Sequence, residues 1–271
     1  MRNTQRAGTI AILVFLLAPP VLFSKPGDVT LFPDSSVFPR LPAEGLAHGV
    51  SLTNIVDTRE WIAALGWEMP VLEIGRGTPA VQIGLGATAF SGLLKTAGHL
   101  SVQTVDYRVD MPVDVRFNRC VFRTGVGHIS SHLVDDAIEQ EGRQSIQYVK
   151  DYLFLFGATG VPWTRGYVYA GTFFRYHSLP GPDNRWAVQL GGQLVSFPIS
   201  SDVSGYVAVD VTLAQENSWG SRQRYEAGIR LDPGGSVKVR FALAHARGFD
   251  DRGQFFDRKR IDTMVLFRVE R

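Results

Sequence analysis

The run Val105-Asp106-Tyr107-Arg108-Val109-Asp110-Met111-Pro112-Val113-Asp114-Val115-Arg116-Phe117 decides the fold class. Every odd position is apolar, whereas the even positions carry Asp106, Arg108, Asp110, Asp114 and Arg116. Successive side chains on a strand point to opposite faces, so this run has one apolar and one charged surface. Strands of soluble domains usually hold about five or six residues, and this alternation runs more than twice as long. Tyr225, Ala227, Ile229 and Leu231 likewise alternate with Arg224, Glu226 and Arg230, and Val237, Val239, Phe241 and Leu243 with Lys238 and Arg240. Ile261, Thr263, Val265, Phe267 and Val269 alternate with Arg260, Asp262 and Arg268. Long strands of this kind, with little helix between them, match an antiparallel transmembrane outer-membrane β-barrel with apolar residues outside and polar residues inside.

Working outward, strands are expected near 45–55, 61–74, 80–93, 104–117, 120–132, 143–157, 164–176, 185–197, 204–214, 221–231, 236–246 and 258–269. That makes an all-β barrel of twelve strands, an even number as single-chain bacterial barrels have, with ten as the fallback. Short turns alternate with longer, more polar connections. Short turns face the periplasm in such barrels, so both termini are expected there and the protein in the bacterial outer membrane.

Composition agrees by exclusion. The chain has 271 residues, 45% of them hydrophobic, with 28 basic against 26 acidic side chains and one Cys. That is too apolar for disorder, too evenly charged for nucleic-acid binding and too poor in Cys for a disulfide scaffold. Residues 1–24, with Arg2, Arg6, the apolar run Ile10–Leu17 and Pro19-Pro20, are expected to be a signal peptide cleaved after Ser24. Residues 25–43, with Pro26, Pro33, Pro39 and Pro42, have no periodicity and are expected to be an extended periplasmic lead-in, leaving 44–271 for the barrel.

One segment could carry chemistry: Gly127-His128-Ile129-Ser130-Ser131-His132-Leu133-Val134-Asp135-Asp136. Here the chain resembles an uncharacterised family of bacterial outer-membrane β-barrels, known only as a domain of unknown function. That family has a His-x-Ser-Ser-His-Leu-Gly-Asp-Glu run and a later Gly-Gln-Phe element. This sequence has Val134 and Asp136 at the Gly and Glu positions, and Gly253-Gln254-Phe255 as the later element. Strand parity puts His128 and Ser130 on the face of Phe122 and Val126, toward lipid, where an ionisable side chain is costly without a purpose. The His-x-Ser pair is similar to that of outer-membrane phospholipase A and lipid A deacylase. The resemblance implies Ser130 as nucleophile, His128 as base, Glu141 or Gln144 as the group orienting His128, and a possible calcium requirement. Two alternatives stand beside it: a loop-organising role, and a divalent metal held by His132, Asp135 and Asp136.

Lys150 lies on an expected lipid face with Ile146, Tyr148, Tyr152 and Phe154, a placement the alternation leaves unexplained. Two functions follow. One is a barrel with a lumen closed by paired charges, serving as a narrow pore, structural component or partner-binding element, with a protein partner or a second copy of itself. The other is an acyl hydrolase acting on outer-membrane phospholipid or lipopolysaccharide. No cofactor is expected apart from calcium in the second case, and no nucleic-acid partner.

Overall fold

A computed structural model describes residues 29–75, 79–134, 144–234 and 237–270. The signal peptide expected at 1–24 lies outside them. The strands are β1 (Val29–Leu31), β2 (Val50–Ile55), β3 (Glu60–Ile74), β4 (Ala80–Lys95), β5 (Leu100–Phe117), β6 (Cys120–Leu133), β7 (Tyr148–Val161), β8 (Gly166–Leu179), β9 (Trp186–Pro198), β10 (Val203–Ala214), β11 (Gly220–Leu231), β12 (Lys238–Phe249) and β13 (Lys259–Glu270). From β2 to β13 each strand pairs antiparallel with the next, and β13 returns to β2, closing a barrel of twelve strands. The short β1 pairs with β3 at Leu72–Ile74, on the same edge that β2 covers at Trp61–Ala64. A closed sheet has no edge, which is what a sheet surrounded by lipid requires.

The alternation sorts as expected in β5, where Tyr107, Val109 and Met111 are exposed while Asp106, Asp110 and Asp114 are buried inside. Interior charges meet across strands. Arg123 bridges Asp114 (2.7 Å) and Glu68 (2.8 Å), Arg240 meets Glu270 (2.7 Å), and Arg108 meets Asp110 (2.8 Å).

Two expectations need correction. Lys150 does not face lipid. In β7 the even positions Tyr148, Lys150, Tyr152, Phe154 and Phe156 all point inward, and the odd ones outward. The Lys150 ammonium lies 2.9 Å from Glu216 and 2.8 Å from the Ser178 hydroxyl, so its charge is paired rather than exposed to lipid. The aromatics beside it form an apolar cluster inside the barrel with Ile129, Tyr169 and Phe38.

The presence of Phe38 in that cluster marks the second correction: the segment expected as a periplasmic lead-in passes through the barrel interior. Phe38 meets Phe156 edge-on and lies under the Arg123 guanidinium. The Val37 amide donates to Gln82 on β4, Ala43 packs against Tyr206, Ala208, Ala242 and Leu266, and Glu44 pairs with Arg108. Arg268 donates to the Pro42 carbonyl, and His48 bonds both Asp110 and Thr88. These partners come from strands all around the wall. An irregular segment needs side-chain partners for its backbone groups, and the polar inner faces supply them.

The connection after β12 also folds inward. Its turn Gly253–Phe255 is fully buried, with the Gln254 amide donating to the Ser131 hydroxyl (3.0 Å) and the Gln254 side chain to the Ser131 carbonyl (2.7 Å). The two sequence motifs therefore meet. Gly253 has no room for a side chain, since a Cβ there would collide with Tyr148 and Ser131. At the base of this connection Asp250 accepts from Arg252 (2.7 Å) and faces Arg260. Burial pushes the Asp250 carboxyl up, but Arg252 and Arg260 outweigh burial and hold it below the ordinary aspartate value.

Two outcomes are expected from this packing. Phe38→Ala should cost about 3 kcal/mol or more, read from urea unfolding of the protein in detergent, because it empties a site packed inside the wall. Because the folded Asp250 pKa is depressed, its contribution is present above the ordinary aspartate value and disappears as pH falls through the folded value. Asp250→Asn should therefore raise hydrogen exchange in residues 250–258 at pH 7 and flatten its rise on acidification.

Candidate functional site

The strands β6, β7 and β8 lie side by side and place His128 opposite Asp151, and Asp151 opposite His177. Because β7 is phased with its aromatics inward, Asp151 points outward, onto the same face as His128. The His128 Nδ1 lies 2.6 Å from Asp151 Oδ1, and the His177 Nδ1 lies 2.8 Å from Asp151 Oδ2. The side chains of His128, Asp151 and His177 are 45%, 26% and 52% exposed, so the cluster belongs to the outer wall and not to the lumen.

Ser130 follows His128 two positions along β6, on the same outward face, opposite Val149 on one side and Tyr107 on the other. Two positions along a strand are roughly 6.6 Å apart, within reach of an imidazole extended along the wall. No hydrogen bond joins Ser130 to His128 among the described residues. The carboxylate behind the imidazole matters more for the chemistry. A His that donates its Nδ1–H to a carboxylate keeps Nε2 free as a base, and the carboxylate stabilises the imidazolium that forms.

The surroundings are rich in exposed aromatic side chains. Exposed Tyr107 lies across from Ser130, exposed Tyr176 precedes His177, and exposed Trp186 begins β9 opposite Phe174. Tyr and Trp collect where acyl chains give way to headgroups. The cluster also lies toward the end of the barrel that carries the longer connections, within a few residues of where β6 and β8 end and β7 begins.

Of the residues expected in a site, His128 and Ser130 share the outer face and His132 continues it, with its ring edge-on to Tyr107 at 6.0 Å. Gln144 is exposed, four residues before β7 begins, and does not meet His128. Glu141, Asp135 and Asp136 lie outside the described residues. Among the described residues no set of three metal-ligating side chains occurs, with His132 or without it.

Asp151 and His177 went unread in the sequence. A partial signal for Asp151 was there: Lys150 among aromatics is costly on a lipid face, and reversing the phase of β7 turns the following Asp151 outward, toward His128. His177 had no comparable signal, because β8 pairs with β7 across a bulge at Asp151/Tyr152 that the alternation does not reveal.

No curated protein matches the chain. Among solved structures it is similar to the translocator domain of autotransporter NalP from Neisseria meningitidis, at 10% identity over 84% of this chain and 90% of that one, with a TM-score of 0.37. A family model described as a protein of unknown function, DUF1207, matches residues 52–267, from within β2 to within β13, and the chain belongs to that family.

Proposed function

We propose that this protein is an integral outer-membrane barrel whose lumen is closed by its own residues 37–48, and that its chemistry lies on the outer wall, where Ser130, His128 and Asp151 hydrolyse acyl esters of outer-leaflet lipid. The observation that carries the reading is Asp151 at 2.6 Å behind His128, in cross-strand register with it and on the face of Ser130. A structural role alone gives no reason to set three ionisable side chains on a lipid-facing wall. The partners implied are phospholipid or lipopolysaccharide, whose ester groups lie at the depth where the exposed Tyr107, Tyr176 and Trp186 would sit. With the longer connections outside, both termini lie in the periplasm.

In the reaction, Ser130 Oγ attacks the ester carbonyl carbon as His128 Nε2 takes its proton. The tetrahedral adduct collapses, the acyl–oxygen bond breaks, and the departing alkoxide takes the proton back from His128. Water, deprotonated in turn by His128, then releases the fatty acid and restores Ser130. For this to happen the His128 and Ser130 side chains must close on each other when lipid binds, and catalytic hydrogen bonds are often unmade before substrate arrives.

The test is fatty-acid release by the purified full chain in mixed micelles containing phospholipid or lipopolysaccharide. Ser130→Ala and His128→Ala should abolish release, and Asp151→Asn should slow it by roughly 100-fold or more. No release by the parent protein, or equal release by the Ser130→Ala variant, would sink the hydrolase reading and leave a structural or partner-binding barrel. That second reading is favoured by the filled interior, which also argues against a pore. In planar bilayers the parent protein should be electrically silent, and deleting residues 37–48 should produce conductance.

A further inference from the structure

Inside the barrel, away from the outer-wall cluster, lies a cavity of about 160 Å³. Its floor is the lumenal segment at Ala43–Leu46, and its mouth lies among the connections that follow β10 and β12, at the end carrying the longer loops. Most charged groups in its wall already have partners. Glu44 pairs with Arg108, Asp210 accepts from Tyr169 and Gln189, Asp250 is held by Arg252, and Asp251 by Arg222. Glu216 serves two cations at once, Lys150 and Arg175, each at 2.9 Å.

Arg224 has only a loose ion pair, to a Glu226 oxygen that is itself without a hydrogen bond. It is 95% buried, and neither its Nε nor its Nη2 has a hydrogen-bond partner. These two nitrogens lie on one edge of the guanidinium, the two-toothed edge that matches a pair of oxygens on a carboxylate or phosphate. The nearest carboxylate is that of Glu226, two residues along β11. Its Oε2 lies 3.7 Å from Nη2, beyond hydrogen-bond range, and its Oε1 accepts the Tyr206 hydroxyl. The Nη1 of Arg175, also in the cavity lining, is likewise without a partner. Leaving donors of a buried cation unmet is costly, and a cavity lined by them has the chemistry to receive an anion.

We infer that this cavity binds a small oxyanion, a phosphate or carboxylate group gripped by the Nε–Nη2 edge of Arg224, with Arg175 in the same lining. The cavity has room for such a group together with water. The site is separate from the outer wall, so its failure and that of the hydrolase reading would be seen in different assays.

Calorimetric titration of the purified full chain in detergent, with inorganic phosphate and with acetate against a chloride background of equal ionic strength, tests it. Saturable binding is expected. Phosphate alone would assign a phosphate group, and both anions would assign oxyanions in general. Arg224→Gln should weaken binding by about tenfold or more, while Arg165→Gln, an exposed arginine in the turn between β7 and β8, should leave it unchanged. Heat-dependent mobility on a gel reports whether each variant has folded. Should Arg224→Gln fail to fold, Glu226→Gln decides, because removing the competing carboxylate should tighten binding several-fold. Neither anion binding above chloride, Arg224→Gln binding like the parent, or Glu226→Gln leaving the affinity unchanged in that case would each overturn the assignment.

Discussion

Closure of the hydrogen-bond ladder is the constraint on which the rest of this structure depends. A strand in lipid cannot leave backbone donors and acceptors unpaired, so β13 must find a partner at the start of the chain. It finds one in β2, which is only six residues long against fifteen in β3. The part of β3 that β2 leaves uncovered at Leu72–Ile74 is taken by β1, which lies before the lumenal segment in sequence. Because β1 and β2 share one edge of β3, the residues between them must go somewhere. They pass through the barrel, where Phe38 and Ala43 pack against its inner wall.

An interior crossed by an irregular segment has to be polar where the segment's backbone needs partners and apolar where its side chains pack. The wall provides both in separate sectors. Arg108, Arg268 and Asp110 meet the polar groups of residues 42–48, while the aromatic inner face of β7 receives Phe38. The interior charges are thereby paired without relying on ladder neighbours alone. Arg240 stands directly opposite Arg268 in the β12–β13 register, a repulsive placement that Glu270 on one side and the Pro42 carbonyl on the other relieve.

The barrel was legible because alternation is a direct imprint of two-sided exposure, and in β5, β11, β12 and β13 the two faces differ in charge so strongly that phase is unambiguous. Where both faces are apolar the phase is lost. In β7, Tyr148, Tyr152, Phe154 and Phe156 would satisfy lipid as well as they satisfy Phe38, and with Lys150 on one face and Asp151 on the other, charge does not fix the phase. Misphasing that one strand hides Asp151, so an error of one residue in register removes the third member of the candidate site. The lumenal segment was illegible for a different reason. Its order comes from contacts with residues 40 to more than 200 positions away, such as Val37 with Gln82 and Pro42 with Arg268, and local periodicity carries no trace of such contacts.

The inner and outer faces of the candidate region are mechanically one object. β6 sends Ser131 inward to hold Gln254 and sends His128 and Ser130 outward, while β7 sends Tyr152 inward to Asp110 and Asp151 outward to His128. A pair of side chains on a lipid-facing wall has no packed protein over it, so whatever rigidity it has must come from behind. Here the backbone beneath it is fixed by the aromatic cluster and by the inward-folded turn Gly253–Phe255, both of which require the lumen to be filled. A wide open channel would leave those inner side chains without partners and their strands free to shift. The aromatic cluster and the inward-folded turn are therefore the support that lets three neighbouring strands hold ionisable groups in fixed register on the outside.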